Sequence, residues 1–514
     1  MTGYPIKRFF ARLYIVAIIS ISLWASLSSA AMSETGRGYT TDKGQFDYAK
    51  LLFDGYEYDA AAREFARVIE AFPASSLKME SQLMMSEAYL RSGLLFEARD
   101  ELGLFLSNYP ESPLAIKASA MVLEADRRLL DLSRPQAEPV MPDLNRARRL
   151  RAVQVMNFEG KTIDEVRHEL ERLQAAGIDT VIVRVFHNRG DRYYPMSGRV
   201  LKAGVYFKTS TAPVVDDLLG GFIEAAHSSG LKVFAWMTTR YADYGVEGDL
   251  DLACKGYDLR SGEFGRCKGL DLFNERAVAR LEAIYSDLAA YEIDGILFQD
   301  DLVLRHSEGF GPYMEALFRK DTSSAATPSS LYIHTISGAP EKVRYTGLFW
   351  QWAAWKNRRL LDVAGRLRDA VRKKRPQTLF ALNLMYESVT NPQYALAWLS
   401  QDLKEAQRKG FDYYSVMAYH IQMGDELGKG PVEISTMIEK MVEGLAKSVG
   451  EPHRVLIKLQ TIDWKNGRPL ADAEIVSLAR DVRARADVSL AVVPYRSGLP
   501  FAEVAGSDGI AYLH

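Results

Sequence analysis

From residue 151 onward, short apolar runs alternate with longer amphipathic segments. The apolar runs predict buried parallel strands, and the segments between them have the 3.6-residue period of helices. The predicted strands are 152–156, 180–186, 232–237, 295–299, 379–384, 413–419, 455–460 and 490–495. The predicted helices are 161–176, 213–229, 275–291, 356–374, 394–409, 431–448 and 471–485.

These alternations predict an α/β fold, a (β/α)8 TIM-type barrel with insertions. The alternative is a doubly wound open sheet, which normally has a Gly-rich phosphate-binding turn after an early strand. The sequence contains no such turn. We therefore expect residues 149–514 to form the barrel.

The N-terminal part of the chain contains two segments that align with each other. Each has a glycine between two predicted helices, Gly55 or Gly93, and each ends at a proline, Pro73 or Pro110, 37 residues apart. Proline stops a helix because it cannot continue the hydrogen-bond ladder. This pattern is typical of tetratricopeptide repeats. We expect an all-α tetratricopeptide-like helical repeat domain over 32–133, with an unrelated helical bundle as the alternative.

Two further segments flank the helical region. Residues 1–31 contain basic residues, then an apolar run, then small residues, which is the pattern of a secretory signal peptide. The alternative is an uncleaved membrane anchor, because the apolar run is close to spanning length. Residues 134–148 are proline-rich and predict a linker.

From these segments we expect an exported protein, periplasmic or outer-membrane-associated, without a stable transmembrane segment after signal cleavage. Helical repeats usually present a concave binding surface. We therefore expect a protein partner to bind through the helical repeats.

The composition narrows the other partners. Lys and Arg number 64 against 66 Asp and Glu, so the chain lacks the basic footprint of a nucleic-acid-binding protein. The two cysteines, Cys254 and Cys267, have no neighbouring histidine to complete a zinc site. In an exported protein they could form a local disulfide, and the alternative is two free thiols. We expect neither a metal nor another cofactor.

Polar and aromatic residues stand at the predicted C-terminal ends of the strands, where the reactive residues of a (β/α)8 barrel project. Aromatic rings stack on sugar faces, while amides and carboxylates hydrogen-bond sugar hydroxyls. This mixture predicts a polysaccharide substrate. The candidate substrate-binding residues are His187, Arg184, Trp236, Gln299, Asn383, Tyr419, His420, Gln460, Asp463 and Trp464.

The stretch EIDGILFQDDLVL takes an apolar strand directly into two acids, Asp300 and Asp301. Glycoside hydrolysis needs a carboxylic acid that protonates the leaving oxygen, and burial raises the pKa of a carboxyl group as this role requires. If the strand continues through both acids, Asp301 shares the polar face of Gln299. We expect Asp301 to be the general acid and Asp300 to orient it or contact substrate. The alternative is that one acid caps the following segment.

Several motifs resemble the C-terminal glycoside-hydrolase domain of the periplasmic poly-β-1,6-N-acetylglucosamine deacetylase/hydrolase of biofilm-forming bacteria. They are RAVQVM, VFAWM, DGILFQDD, LFALNLMYES and VLIKLQTIDW, and the resemblance covers the whole predicted barrel. The resemblance implies endo-type, β-1,6-glucosaminidase-like cleavage of the partly deacetylated polymer. It also implies that the acid pair acts in catalysis, with Glu387 as the candidate partner.

The chain departs from this family in two ways. Gln299 stands where the family typically has histidine, and helical repeats replace the family's deacetylase domain. We therefore expect no deacetylase activity. The alternatives to hydrolysis of this polymer are a catalytically weak carbohydrate-binding scaffold in an exopolysaccharide export assembly and a hydrolase of another glycan.

Overall fold

The structure is a computed structural model that describes residues 41–132, 147–198, 201–333 and 344–506. The predicted signal peptide and most of the predicted linker lie outside these ranges. Within them, no helix is long and apolar enough to cross a membrane.

Eight parallel strands form a closed barrel in which β1 pairs with both β2 and β8. The strands are β1 (Arg151–Val155), β2 (Thr180–Arg184), β3 (Lys232–Met237), β4 (Gly295–Phe298), β5 (Leu379–Met385), β6 (Tyr413–Met417), β7 (Val455–Gln460) and β8 (Ser489–Val493). Their side chains are almost all buried, as expected for a parallel sheet covered by helices. The predicted barrel and its eight strands are confirmed.

Helices form the N-terminal region and surround the barrel. The N-terminal helices are α1 (Asp42–Asp54), α2 (Tyr58–Ala71), α3 (Lys78–Ser92), α4 (Leu95–Asn108) and α5 (Ala115–Leu132). The later helices are α6 (Ile163–Ala175), α7 (Leu219–Ser228), α8 (Glu275–Leu288), α9 (Pro312–Thr322), α10 (Pro328–Leu331), α11 (Gly347–Lys374), α12 (Glu387–Thr390), α13 (Pro392–Leu399), α14 (Leu403–Arg408), α15 (His420–Leu427), α16 (Pro431–Val449), α17 (Asp472–Arg485) and α18 (Phe501–Ala505), with a short 3-10 helix at Pro452–Arg454.

The predicted helix 356–374 begins earlier, at Gly347, the predicted helix 213–229 begins later, at Leu219, and a third prediction is divided in two. The segment 394–409 is divided into α13 and α14, because Ser400 between them adopts a left-handed conformation with φ 50°. A left-handed residue ends an α-helix.

The N-terminal helices pack in succession, α1 on α2, α2 on α3, α3 on α4 and α4 on α5. Ala61 and Ala98, and likewise Phe65 and Leu102, occupy equivalent positions in α2 and α4, and all four side chains are fully buried. The internal repeat therefore shows in the packing as well as in the sequence. The all-helical N-terminal region is confirmed, and its assignment to the tetratricopeptide class stays a prediction.

The helical region packs against the segment that precedes β5. A Cβ atom on Gly347, at the start of α11, would lie 2.9 Å from the carbonyl oxygen of Gly93 in the α3–α4 turn. Beside this contact, the rings of Phe96 and Trp350 have centroids 4.6 Å apart. Position 347 must therefore lack a side chain for the α3–α4 turn and the start of α11 to approach this closely.

Short strands outside the barrel build the loops at its C-terminal end. They are Phe186–His187 with Gly204–Val205, Ala253–Asp258 with Glu263–Leu270 and Glu308–Phe310, and Tyr332–Ile333 with Arg344–Tyr345. A disulfide joins Cys254 to Cys267, which confirms the first of the two states predicted for these cysteines.

Gly295 begins β4 at a point where a side chain would collide with the barrel core. A Cβ atom there would lie 2.5–2.7 Å from ring atoms of Phe234, a side chain that is fully buried. We predict that Gly295→Ala lowers the free energy of unfolding by about 1–3 kcal/mol, measured by urea denaturation.

The matched control is Gly444 in α16, where an added Cβ would meet no atom within 4 Å. Because alanine is the better helix former, Gly444→Ala should raise the free energy of unfolding by about 0.5–1 kcal/mol. Equal destabilisation by the two substitutions would contradict the steric explanation.

Candidate active site

The two adjacent acids lie in the turn that follows β4, since this strand ends at Phe298. The premise that the strand continues through Asp301 is therefore wrong, and alternation does not decide which acid faces the cleft. Asp301 is buried, with 1% of its surface exposed, whereas Asp300 is partly exposed. The surroundings of each carboxylate must assign its role.

The carboxylate of Asp301 anchors the loop that follows β3. It accepts hydrogen bonds from the hydroxyl of Thr238 at 2.6 Å, from the hydroxyl of Thr239 at 2.7 Å and from the backbone N–H of Thr239 at 2.9 Å. The backbone N–H of Tyr241 donates a further bond at 2.7 Å. These donors occupy both oxygens of a carboxylate, which can only accept when ionised. The geometry therefore favours Asp300 over Asp301 as a proton donor to substrate.

The charge of Asp300 interacts with that of Lys458, a lysine of β7 with only 1% of its surface exposed. Burial raises the pKa of Asp300, the charge of Lys458 lowers it, and the neighbouring Asp301 raises it. Burial in turn lowers the pKa of Lys458 to about 8, against the opposing charge of Asp300. A carboxyl group with a raised pKa beside a titratable cation is the arrangement that acid catalysis uses.

Residues of three neighbouring strands surround Lys458. Its Nζ donates to Oδ1 of Asn383 at 3.3 Å, and the hydroxyl of Ser415 donates to the same oxygen at 3.1 Å. The ring of Tyr419 lies 5.9 Å from Nζ, and the ring of Trp464 lies 5.5 Å from that of Tyr419. We refer to this group as the Asp300 cluster, made of Asp300, Asn383, Ser415, Tyr419, Lys458 and Trp464.

A second carboxylate with a raised pKa stands at the end of the next strand. Glu387 begins α12, directly after β5, and burial together with the charge of Glu426 raises the pKa of Glu387 to about 7. Its Oε2 is buried and has no hydrogen-bond partner among the described residues. Tyr386, the preceding residue, donates its hydroxyl proton to Glu426 at 2.8 Å.

Exposed aromatic rings lie beside Glu387. Tyr394 and Trp398, on α13, stack with centroids 5.7 Å apart and have 41% and 36% of their surface exposed. His306 stacks on Trp398 at 3.9 Å, and the charge of Glu387 helps raise the pKa of Tyr394. An exposed ring surface next to a carboxylate suits the binding of a sugar.

Two predicted substrate-binding residues hold the loop that follows β2. His187 is 1% exposed, and its Nδ1 shares a hydrogen bond with the hydroxyl of Tyr206 at 3.1 Å. Burial lowers the pKa of His187. Arg184, 2% exposed, forms an ion pair with Asp191 at 3.1 Å. Both side chains therefore stabilise the loop that follows β2 through contacts within the protein.

Three other predicted residues also have partners within the protein. The amide of Gln460 accepts bonds from the backbone N–H groups of Ile421 and Gln422 at the start of α15, at 3.1 and 3.3 Å. His420 contacts Glu474 at 2.9 Å, and Asp463 accepts from the N–H of Lys465 at 2.8 Å. These residues organise the loops after β6 and β7.

Unsatisfied polar atoms collect at the C-terminal end of the barrel. Buried polar groups normally have a hydrogen-bond partner, so a concentration of exceptions indicates a binding site. In the described part of the chain, the buried atoms without a partner there include Oε1 of Gln154, Oδ1 of Asn157, Nε1 of Trp236, Oε1 of Gln299, Oε2 of Glu387, Nδ1 of His420, Nε1 of Trp464 and the Nε atoms of Arg184, Arg240 and Arg496. Over the same described ranges, no group of three or more His, Cys, Asp or Glu side chains could hold a metal ion.

The sequence prediction missed Lys458 and Ser415. A signal for both was present, because each is a polar residue inside an otherwise apolar strand, VLIKLQ or YYSVM. In such a strand alternate residues share a face, so Lys458 lies on the face of Gln460, which the prediction did include. A buried lysine needs a partner, and this requirement pointed to an acid elsewhere at the C-terminal end of the barrel.

The family model "Hypothetical glycosyl hydrolase family 13" matches residues 157–491. The PgaB (BpsB) glycoside hydrolase domain from Bordetella bronchiseptica is 22% identical with a TM-score of 0.53, over 67% of this chain and 94% of that one. The catalytic domain of β-amylase from Paenibacillus polymyxa is 11% identical with a TM-score of 0.45, over 71% of this chain and 100% of that one. No curated protein matches the chain. The predicted resemblance to the PgaB-type domain is confirmed in fold.

Proposed function

Since the chain belongs to the hypothetical glycosyl hydrolase family 13, we propose that it cleaves partly deacetylated poly-β-1,6-N-acetylglucosamine within the polymer chain. The observation that carries the catalytic part of this proposal is the buried Lys458, bound to Asn383, whose charge acts on the carboxyl group of Asp300 after β4. The substrate is proposed from the motif resemblance. The aromatic and amide groups at the rim support a glycan in the cleft.

In this proposal Asp300 is the general acid. Its burial favours the protonated form, which gives its proton to the glycosidic oxygen as the bond to the leaving sugar breaks. Lys458 stabilises the carboxylate that results, because the ammonium and the new negative charge attract each other in a partly dehydrated site. Asn383 and Ser415 hold the ammonium in place.

Glu387 is the proposed second carboxylate. A pKa of about 7 leaves this group partly ionised near neutral pH, so it can take a proton from the attacking water or stabilise positive charge on the sugar. The rings of Tyr394 and Trp398 extend the binding surface beyond Glu387, as a polymeric substrate requires. Trp464, beside Tyr419, offers a second ring near Asp300.

Removal of the Lys458 charge should shift the pH dependence of cleavage. Lys458 lowers the pKa of Asp300, so in Lys458→Met this pKa rises and the acid stays protonated to higher pH. We predict that the alkaline limb of kcat/KM moves to higher pH, measured from initial rates across a pH series. Lys465→Gln, which removes an exposed cation of the following loop, is the control and should leave the limb in place. A limb that moves to lower pH in Lys458→Met would contradict the assignment.

The proposed function is tested with the purified protein and a panel of glycans. The panel contains poly-β-1,6-N-acetylglucosamine at graded deacetylation, chitosan and peptidoglycan, with products analysed by mass spectrometry. We expect internal fragments from partly deacetylated β-1,6 polymer alone. If the protein binds the polymer but produces no fragments, the proposal of an enzyme is wrong and a carbohydrate-binding scaffold takes its place. If fragments come from another glycan, the proposed substrate is wrong.

We also propose that the protein is exported and that its helical region binds a protein partner. Gly93 and Phe96 contact the start of α11, so the helical region packs against the segment between β4 and β5. Fractionation of cells that produce the protein, followed by crosslinking in intact envelopes, tests both statements. Recovery from the cytoplasm alone would contradict them.

A further inference from the structure

A disulfide-closed hairpin packs against the loop that follows β3, the loop that Asp301 anchors. Its strands, Ala253–Asp258 and Glu263–Leu270, are joined by Cys254 and Cys267, whose Cα atoms are 5.1 Å apart. The backbone register shifts between Ala253 and Lys255. The disulfide therefore holds the hairpin together where the regular pairing is interrupted.

Arg240 connects this hairpin to the loop after β3. Its guanidinium, in a residue 1% exposed, donates to Sγ of Cys254 at 3.3 Å and to the carboxylate of Glu308 at 3.0 Å. Its carbonyl oxygen accepts from the N–H of Leu270 at 2.7 Å. At Gly269, with φ 89°, a Cβ atom would lie 2.5 Å from the same carbonyl oxygen. Hairpin and loop thus form one close-packed unit.

Lys268, on the second strand of the hairpin, contacts Tyr241 in the loop that Asp301 anchors. Its Nζ is 3.8 Å from the centre of the Tyr241 ring, and the guanidinium of Arg240 is 5.1 Å from the same ring. The backbone N–H of Tyr241 binds Asp301, next to Asp300 in the chain. Lys268 is exposed, and its charge helps lower the pKa of Asp300. The ammonium is therefore accessible to a ligand and lies on the ring of Tyr241, whose backbone binds the neighbouring acid.

We propose that the hairpin forms a wall of the saccharide cleft and that Lys268, on this wall, determines specificity by donating hydrogen bonds to oxygens of the sugar bound at Asp300. This inference rests on the proposed function and deepens it. An ammonium offers three donors and no acceptor, and the contact with Tyr241 restrains it. With Lys458 on the other side, the site repels a cationic glucosamine residue and accepts the carbonyl or hydroxyl oxygens of a neutral N-acetylglucosamine residue.

The test separates affinity from chemistry. For cleavage of the β-1,6 polymer, Lys268→Gln should raise KM about tenfold and leave kcat within about twofold, because the lost hydrogen bond serves ground state and transition state alike. The alkaline limb should move to higher pH, since a charge that lowers the pKa of Asp300 is gone. Lys268→Arg should restore most of the affinity. Arg260→Gln, at the exposed turn of the same hairpin, is the control.

A second variant tests the wall itself. Cys254→Ser with Cys267→Ser releases the hairpin while the barrel strands stay intact, so thermal melting should still show a folded protein. We expect the same direction of change in KM as for Lys268→Gln. A wild-type KM in the folded double variant would overturn the role of the wall.

Equilibrium binding keeps this inference distinguishable from the proposed function. An N-acetylated β-1,6-linked glucosamine pentasaccharide is titrated into wild type and Lys268→Gln by calorimetry. If the wild type binds it without cleaving the polymer, the proposed hydrolysis fails, yet about tenfold weaker binding by Lys268→Gln still supports the inference. Equal affinity of the two proteins, or an unchanged KM, overturns it.

Discussion

Replacement of Asp300 by asparagine should lower the rate of glycan cleavage by about 10²- to 10⁴-fold, the range that a general acid contributes. Asparagine keeps the size of the side chain but has no proton to give to the leaving oxygen. The loss should appear mainly in kcat, because binding of the polymer depends on the aromatic and amide groups at the rim. Initial rates of reducing-end release measure this effect.

The fold should survive this substitution. Because burial raises the pKa of Asp300, the ionised carboxylate stabilises the folded protein less than an ordinary exposed one. Asp300→Asn should therefore change the free energy of unfolding by less than about 1 kcal/mol. A large loss of stability would indicate that the activity loss reports misfolding and would remove Asp300 as the acid.

The neighbouring substitution, Asp301→Asn, should instead lower the free energy of unfolding by about 3 kcal/mol, as expected when a buried charged acceptor of several hydrogen bonds is lost. The new amide group would turn two N–H bonds towards the N–H donors of Thr239 or Tyr241. Urea denaturation measures the change, with Asp300→Asn as the matched control of identical chemistry.

The activity of the Asp301→Asn protein tests which of the two acids is the general acid. Any protein that remains folded should still cleave the polymer, because the proton donor is present. Its alkaline limb should move to lower pH, since the charge of Asp301 raises the pKa of Asp300 and is lost in this variant. A fully stable Asp301→Asn protein without activity would reverse the assignment of the two acids and restore Asp301 as the acid predicted from sequence.

The barrel was predictable because its parallel strands are buried on both faces and therefore appear as continuous apolar runs. The residues at the C-terminal end of the barrel were predictable from the same apolar runs. Asn383 lies near the end of one run, and Trp464 lies shortly after another. The roles of Asp300 and Asp301 were not predictable. They depend on where β4 ends and on Thr239 and Tyr241, donors from another loop that a linear pattern does not connect to the acids.

Lys458 shows a second limit of sequence interpretation. The sequence shows a lysine inside an apolar strand but does not show which acid accompanies it, because Asp300 follows β4 and two strands lie between β4 and β7. That pairing depends on the order in which β4 to β7 meet around the barrel. Lys268 likewise becomes informative only when the Cys254–Cys267 hairpin is folded back against Tyr241.

The measurement that tests the central claim most directly is the dependence of the Asp300→Asn defect on the leaving group. A dinitrophenyl glycoside of a β-1,6-linked glucosamine oligosaccharide leaves without protonation, whereas the natural polymer needs a proton from the acid. We predict a loss of about 10²- to 10⁴-fold on the polymer and of less than about tenfold on the dinitrophenyl glycoside. Equal losses on both substrates would contradict the claim that Asp300 is the general acid.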